Sequence, residues 1–490
     1  MKLIETSFDN FRCFKNYKIN YGLETTVIIG KNGTGKSSIL SGIRRGLSIV
    51  FAQSKSFKSN LSISNNTNVR SFTKSEANFD SINRLYNYPI SNSFRTLFNN
   101  EKLEWSLNKL TMNGGLQTSA YNAALNFVLE YYNSNYQAPL PVLVVYADSF
   151  PHKIINYGAK VKQILKLDIL PRDFSYYGWD DRTNCTELWF SRFFKISNHE
   201  KKRQSDLNSI QNQIAIWQDR QKDAEENDHS KLNLIHHNLA SLKQKFDFLT
   251  TNVLSISYNR EKEYVENKLF QFTEPVTNEF EFINNEFQLF GIDVVKGEKY
   301  KDTVEFTFKD GRLIQYETLP MGYKRILSLV FDLAYRSYVL NEDNESEGVV
   351  LIDEIELHLH PTLQQEILQR LKKAFPKIQF IVTTHSPLVI SNFKADLKNK
   401  LIKLEHEGNN YSNKNVDNIY GIDYTTGLMD IMDAKYRSSD IDNLIDSYVI
   451  LKIRKNEVAA GKIWKEIFAI VGEDNERIKK EINDKVDANS

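Results

Sequence analysis

The chain has 490 residues, of which 63 are basic, 62 acidic and two cysteine, Cys13 and Cys185. This length holds two or three domains, or one large domain with insertions. The nearly neutral balance supplies no global field toward nucleic acid or an anionic membrane, so any such contact must come from a local patch. Two thiols build neither a disulfide framework nor a four-thiolate zinc site and fit a reduced compartment; Cys13 reads as a small buried apolar residue. The opening MKLIETSFDNF lacks the basic segment and long apolar run of a signal peptide. The runs LPVLVVYA and GVVLI fall short of the roughly 20 residues of a bilayer span, so a cytoplasmic protein without a membrane contact is expected.

In chain order, residues 3–9 and 16–20 read as short strands, and Thr26 to Ile29 as a β-branched strand that leads directly into Gly30. Ile39, Leu40, Ile43 and Leu47 then recur at helical spacing. Residues 53–70 are rich in Ser and Asn and suggest an exposed loop or weak hairpin. PLPVLVVY, 139–146, reads as a fully buried strand of a parallel sheet. From Asn198 to Asn259 the chain is charged and Gln-rich, without Pro or Gly. Leu207, Ile210, Ile214 and Trp217, then Leu239, Leu242, Phe246, Leu249 and Val253, step by three and four, which predicts a helical hairpin. A short coiled-coil arm and a helical subdomain packed on the core both fit it.

Residues 303–308 alternate as a strand, Asp310-Gly311 turns, and Leu313 to Tyr316 returns. Ile326, Leu329, Val330, Leu333 and Ala334 form a helical stripe. VVLI, 349–352, is another buried strand, Pro361 opens a helix carrying Leu363, Ile367, Leu368 and Leu371, and FIVTTHS supplies a further strand. Beyond about residue 391 the chain is polar, and it reads as helical from Gly427 onward.

Residues 30–37, GKNGTGKS, carry the chemistry. Gly30, Gly33 and Gly35 let the backbone wrap so that its N–H groups and a helix N-terminus face phosphate oxygens. Lys36 adds a cation for the β- and γ-phosphates, and Ser37 a hydroxyl for Mg²⁺. Asp353 and Glu354 end the apolar strand 349–352, at the sheet edge where parallel folds hold ligands. Asp353 suits Mg²⁺, and Glu354 suits the attacking water. His385 ends the strand FIVTT, within reach of a γ-phosphate or that water. His358 and His360 alternate on an extended segment with no third ligand, which suggests a loop abutting a partner subunit rather than zinc.

Residues 27–40, 349–361 and 380–390 resemble the Walker A, Walker B and switch-histidine segments of ABC-class ATPases of the SMC/RecF/OLD group, with DE-x-E-x-HLHP and TTHSP as shared motifs. The resemblance implies an α/β, ABC-type ATPase head: a phosphate-loop sheet with helices on both faces, an N-terminal β-subdomain, an inserted helical hairpin and a helical C-terminal tail. It extends the ATP-binding set to Gly30, Lys31, Asn32, Gly33, Thr34, Gly35, Lys36, Ser37 and Ser38, with Ser37 and Asp353 on Mg²⁺ and Glu354 and His385 catalytic. It also places LPMGYKRI, 319–326, at the ABC signature, so that Gly322, Tyr323 and Lys324 cap the γ-phosphate of the opposite subunit in a head-to-tail dimer or higher homo-oligomer. Pro320 and Met321 depart from the Ser and paired glycines of the usual signature. Gln53 is a weak candidate for the Q-loop.

The GYKRI form, the short arm and the helical tail are most similar to PtuA-like ATPases of Septu-type and retron-associated anti-phage systems. That resemblance implies a switch or sensor holding an HNH nuclease of the PtuB kind, with a reverse transcriptase and its retron msDNA as a further partner and nucleic-acid contact through the complex. A RecF/SMC-like ATPase acting directly on DNA is the alternative. The expected divisions are 1–195 and 261–400 for the two halves of the head, 196–260 for the helical insertion and 401–490 for a partner-docking tail. In that tail Ile441, Leu444, Ile445 and Tyr448, then Ile463, Trp464, Ile467, Phe468 and Val471, either complete a core or offer Trp464 and Phe468 as docking anchors.

Overall fold

Four short runs of apolar and β-branched residues, Thr25–Gly30, Val142–Tyr146, Gly348–Ile352 and Ile378–Thr383, are buried at nearly every position, as strands covered on both faces must be. In the computed structural model they lie parallel in one six-stranded sheet. Its order is Asn410–Asn415, Asn399–Glu407, Thr25–Gly30, Ile378–Thr383, Gly348–Ile352, Val142–Tyr146. The structure describes residues 1–51, 71–134, 138–147, 150, 159–179, 186–222, 229–275, 287–417, 421, 431, 439–472 and 475–489. The segment 53–70 with Gln53, Cys185, and the helix start expected at Gly427 lie outside the described residues.

The two C-terminal members of this sheet fall in the stretch beyond residue 391 whose composition is polar. Asn399–Glu407 pairs in parallel with the strand that leads into the phosphate loop, with Leu404 opposite Gly30, and Asn410–Asn415 closes the edge antiparallel. Leu401, Ile402 and Leu404 are buried, but the lysines between them hide the strand from a hydropathy reading. The head therefore continues past residue 400, and the chain separates into two compact units at Gly421.

The first residues form a second sheet, antiparallel, in the order Phe14–Asn20, Lys2–Phe11, Ile90–Phe98, Glu101–Lys109. Every second residue of Ile90–Phe98 is buried, the pattern of a strand with one covered face. Gln379 interrupts an otherwise apolar strand because it joins the two sheets: it accepts from Leu3 N–H at 2.7 Å and donates to the carbonyls of Leu3 at 2.8 Å and Gly22 at 2.6 Å. A third sheet orders Leu313–Gln315, Asp302–Phe308 and Leu289–Lys296, the last of which the sequence did not announce.

The helical insertion has three helices, Thr186–Lys222, His229–Thr251 and Val253–Thr273. The first starts at Thr186 rather than near Asn198, because its opening turns are apolar: Trp189 stacks on Tyr335 at 5.2 Å and Phe193 meets Phe331 at 5.6 Å. These turns pack on the helix Met321–Asn341, whereas beyond Ser197 that first helix buries only Leu207 among its described residues. Asn252 caps the third helix by accepting from Leu254 and Ser255 N–H, which leaves Val253 exposed instead of in the hairpin stripe.

The second unit contains the helices Ser439–Ile453, Glu457–Val471 and Glu476–Asn489. Ile441, Ile445, Tyr448, Ala460, Ile467, Phe468 and Ile482 are among the residues forming its own core. Trp464 lies against Phe468 at 4.5 Å and Tyr448 at 5.1 Å, so both proposed anchors take part in that packing.

Candidate active site

Three strands of the central sheet end at one edge, because parallel pairing aligns Gly348–Ile352, Ile378–Thr383 and Thr25–Gly30. The loop 30–35 follows the last of these, Asp353 follows the first, and His385 stands just beyond the middle one. Brought to this edge are all of the residues read from GKNGTGKS, DE and TTHS.

The loop turns through positive φ at Gly33 (84°) and Gly35 (97°), which favours glycine. At Gly35 space adds a second reason, since a Cβ would stand 2.5 Å from the Phe14 ring. Thr34 is buried and its hydroxyl donates to Lys31 O at 2.8 Å, closing the loop on itself, while Lys31, Asn32 and Gly33 are exposed at its tip. The helix Lys36–Leu47 starts with no side-chain cap and no acid in its first turn, so its leading N–H groups and positive dipole end face the loop concavity. Ser37 and Ser38 lie on that first turn.

Lys36 is buried, and its ammonium donates to Gly30 O at 2.7 Å and Lys31 O at 3.1 Å. Burial pushes its pKa down from the ordinary lysine value, and the carboxylates of Asp353, Glu354 and Glu356 pull it back up. Three acids thus act on the lysine electrostatically across the edge of the sheet.

The acids sit in a tight turn rather than on an extended segment, with Glu354 at φ 48° and His358 at φ 64°. Each such residue carries on the order of 1 kcal/mol or more of backbone strain, which surrounding bonds must hold. Thr383 provides several: its hydroxyl donates to Asp353 Oδ1 and accepts from Glu354 N–H at 2.9 Å, and its carbonyl accepts from Ile355 N–H at 3.1 Å. Buried Arg325 donates to Asp353 O at 3.1 Å and Glu354 O at 3.2 Å. Thr383 stands in TTHSP and Arg325 in GYKRI, and neither motif by itself gives the residue this role.

His385 is exposed, and its N–H donates to Glu356 Oε1 at 2.6 Å. Ser386 beside it bonds Gln364 Oε1 at 2.5 Å and caps the short helix Pro387–Ser391. Glu356 is the acid of DE-x-E to which the sequence reading gave no role.

Gly322, Tyr323 and Lys324 form the first turn of the helix Met321–Asn341. A Cβ on Gly322 would stand 2.2 Å from His358 O, so this turn presses directly on the acid turn and only glycine fits there. Tyr323 packs with Phe287 at 4.6 Å, and Lys324 donates to Glu317 O at 2.9 Å over the Tyr316 ring. A cavity of about 310 Å³ opens beside Gly322, with His358, His360 and Arg370 in its wall.

The donor set suits Mg²⁺-nucleotide. Mg²⁺ takes hard oxygen ligands and is held by one or two carboxylates together with substrate phosphates, and Asp353 with the Ser37 hydroxyl are such donors. Among the described residues no cluster of three or more His, Cys, Asp or Glu makes a metal site by itself. No described helix is long and apolar enough to cross a membrane.

The family profile of the AAA ATPase domain matches residues 1–390. The chain belongs to that AAA ATPase family. In this AAA-family chain the acid-bearing strand is one strand removed from the phosphate-loop strand in an α/β fold. It is similar to the retron Vc95 probable ATPase of Vibrio cholerae, 28% identical over 81% of this chain and 72% of that protein. It is also similar to the Septu protein PtuA of Bacillus mycoides, 51% identical over 72 residues, which are 15% of this chain and 10% of that one. Among solved structures it is similar to the Smc head domain of Pyrococcus furiosus, with TM-score 0.42 and 13% identity, covering 85% of this chain and 96% of that one.

Proposed function

We propose that this AAA-family ATPase binds Mg²⁺-ATP in the loop 30–38, hydrolyses it, and works as the nucleotide-driven switch of an anti-phage defence complex. The observation that carries the reading is the meeting of phosphate loop, paired acids and histidine at one edge of a parallel sheet. Loop amides and the helix start take the phosphate oxygens, and Lys36 exchanges the carbonyls of Gly30 and Lys31 for the β- and γ-phosphates. Ser37 and Asp353 hold Mg²⁺, which neutralises phosphate charge. Glu354 orients or deprotonates the water, and His385 reads whether the γ-phosphate is present.

Gly322, Tyr323 and Lys324 meet the γ-phosphate of a second copy, so that two heads close on two nucleotides. His358 and His360, exposed beside Gly322, belong to the same contact. Similarity to a retron ATPase over most of the chain and to PtuA over a short block supports the defence setting. The effector is an HNH nuclease, with a reverse transcriptase and its msDNA as the further partner.

Phosphate release by the purified chain tests the engine. Wild type is expected to turn over Mg²⁺-ATP, Lys36→Ala to lose nucleotide binding, and Glu354→Gln to keep it with turnover at least about 100-fold lower. Equal turnover in Glu354→Gln removes Glu354 from the mechanism. For the switch, light scattering of Glu354→Gln is expected to show a dimer with ATP and a monomer with ADP, and co-expression with an HNH protein from the neighbouring genes is expected to yield a complex.

A further inference from the structure

The acid turn and the histidine turn are linked by more than the sheet. Thr383 binds the backbone or side chain of Asp353, Glu354 and Ile355, and the next link is side chain to backbone, Glu356 Oε1 to His385 N–H at 2.6 Å. On the other flank of His385, the Ser386 hydroxyl bonds Gln364, whose amide donates back to Leu359 O at 2.8 Å. His385 is therefore clamped on both sides by one continuous segment, 353–364, that also carries the catalytic acids. Its imidazole is exposed while its backbone is fixed.

The second oxygen of Glu356 is the unusual feature. Oε2 is buried and has no hydrogen-bond partner among the described residues. An unpaired buried polar atom costs about 1–3 kcal/mol, more when charged, and native proteins retain few of them without a use. Glu356 is also one of three acids acting on Lys36, so this oxygen belongs to the electrostatic surroundings of the phosphate loop.

We infer that Glu356 is a positioning residue of the ATPase reaction: Oε1 sets where the His385 imidazole stands relative to Glu354, and Oε2 bonds an ordered water that can turn to meet an amide in its place. This inference rests on the roles proposed above for Glu354 and His385. In this role Glu356 works through His385, whose N–H it holds. Substitutions at the two positions are therefore not independent.

The test is a double-mutant cycle on the full chain, with turnover, Michaelis constant, affinity for a fluorescent ATP analogue and melting temperature measured for each variant. Glu356→Ala is expected to lower kcat at least tenfold with nucleotide affinity within twofold of wild type. His385→Ala lowers kcat similarly, and the double variant is no slower than the slower single one. Glu356→Gln, whose amide oxygen still accepts from the His385 N–H, restores kcat to within about threefold of wild type.

Independent, multiplying effects of Glu356→Ala and His385→Ala overturn the inference, as does a Glu356→Gln variant as slow as Glu356→Ala, because charge rather than position is then what matters. If Glu356→Ala does not fold, Glu356→Met, which keeps the side-chain length without an oxygen acceptor, takes its place in the cycle and in the comparison with Glu356→Gln. Wild-type kcat in His385→Ala removes the underlying role of His385 and this inference with it, whereas a slow His385→Ala beside a fully active Glu356→Ala removes this inference alone.

Discussion

Glu266 lies on the third insertion helix with its carboxylate 3.6 Å from Lys262, and burial raises its pKa from 4.5 to about 7; Lys262 opposes the rise, and Asp293 and Glu263 add to it. The folded chain then keeps this proton up to about pH 7, while the unfolded chain releases it near the ordinary value. Below that ordinary value both states are protonated and Glu266 carries no penalty. As pH climbs toward 7 the unfolded state gains by ionising, so stability is lost across this window, by up to about 3 kcal/mol. Glu266→Gln removes the slope. Urea melts at pH 5, 6.5 and 8 are expected to show the variant gaining on wild type as pH rises, and a constant difference between the two would contradict the assignment. Nothing in the sequence marked Glu266, since its burial is produced by strands and helices far along the chain. The loop 30–37 and the pair Asp353-Glu354 were legible because their chemistry requires a fixed local spacing. The bond from Glu356 to His385 spans 29 positions and was not.

The helix Met321–Asn341 connects the site to the insertion. Its first turn presses Gly322 on His358, Arg325 holds the backbone of the acid turn, and further along Asp332 gathers three donors. Asp332 accepts from Tyr146 hydroxyl at 2.7 Å, Arg336 Nε at 2.7 Å and Trp189 Nε1 at 2.6 Å, joining the sheet, this helix and the base of the first insertion helix. Asp332 and Arg336 are both almost fully buried, with side chains 1% and 2% exposed. Removing one partner of such a pair costs about 3–5 kcal/mol, because the other charge stays buried without compensation. Asp332→Ala is thus expected to lower unfolding free energy by that amount in denaturant melts. A loss below about 1 kcal/mol would mean that water reaches Arg336. The apolar stripe predicted this helix correctly, but a period-based reading treats Asp332 and Arg336 as solvent-facing. It misplaced the insertion boundary for the same reason, since Trp189 and Phe193 continue a charged helix inward.

At the scale of the whole chain the decisive correction concerns where the head ends. A boundary at residue 400 cuts through Asn399–Glu407, which pairs with the phosphate-loop strand along Thr25 to Gly30, and removes all but its first two residues. Leu401, Ile402 and Leu404 on that strand are each no more than 2% exposed. Burying a side chain of this kind contributes about 1.5–3 kcal/mol, so losing three, along with their ladder, approaches the roughly 5–15 kcal/mol by which a domain is stable. The loss also leaves the loop strand as an open edge. A boundary after Gly421 instead falls between the two compact units and leaves the second with its own apolar core. Chains ending at residues 398 and 421 should therefore behave oppositely. The longer is expected to be soluble, to melt cooperatively and to hydrolyse ATP within about twofold of the full chain, and the shorter to aggregate or bind no nucleotide. If the chain ending at 421 also fails, the helices after Ser439 contribute to the head's stability. If it succeeds but loses a co-expressed nuclease that the full chain retains, the three-helix unit is the dock, with a contact surface other than the Trp464 and Phe468 that close its own core.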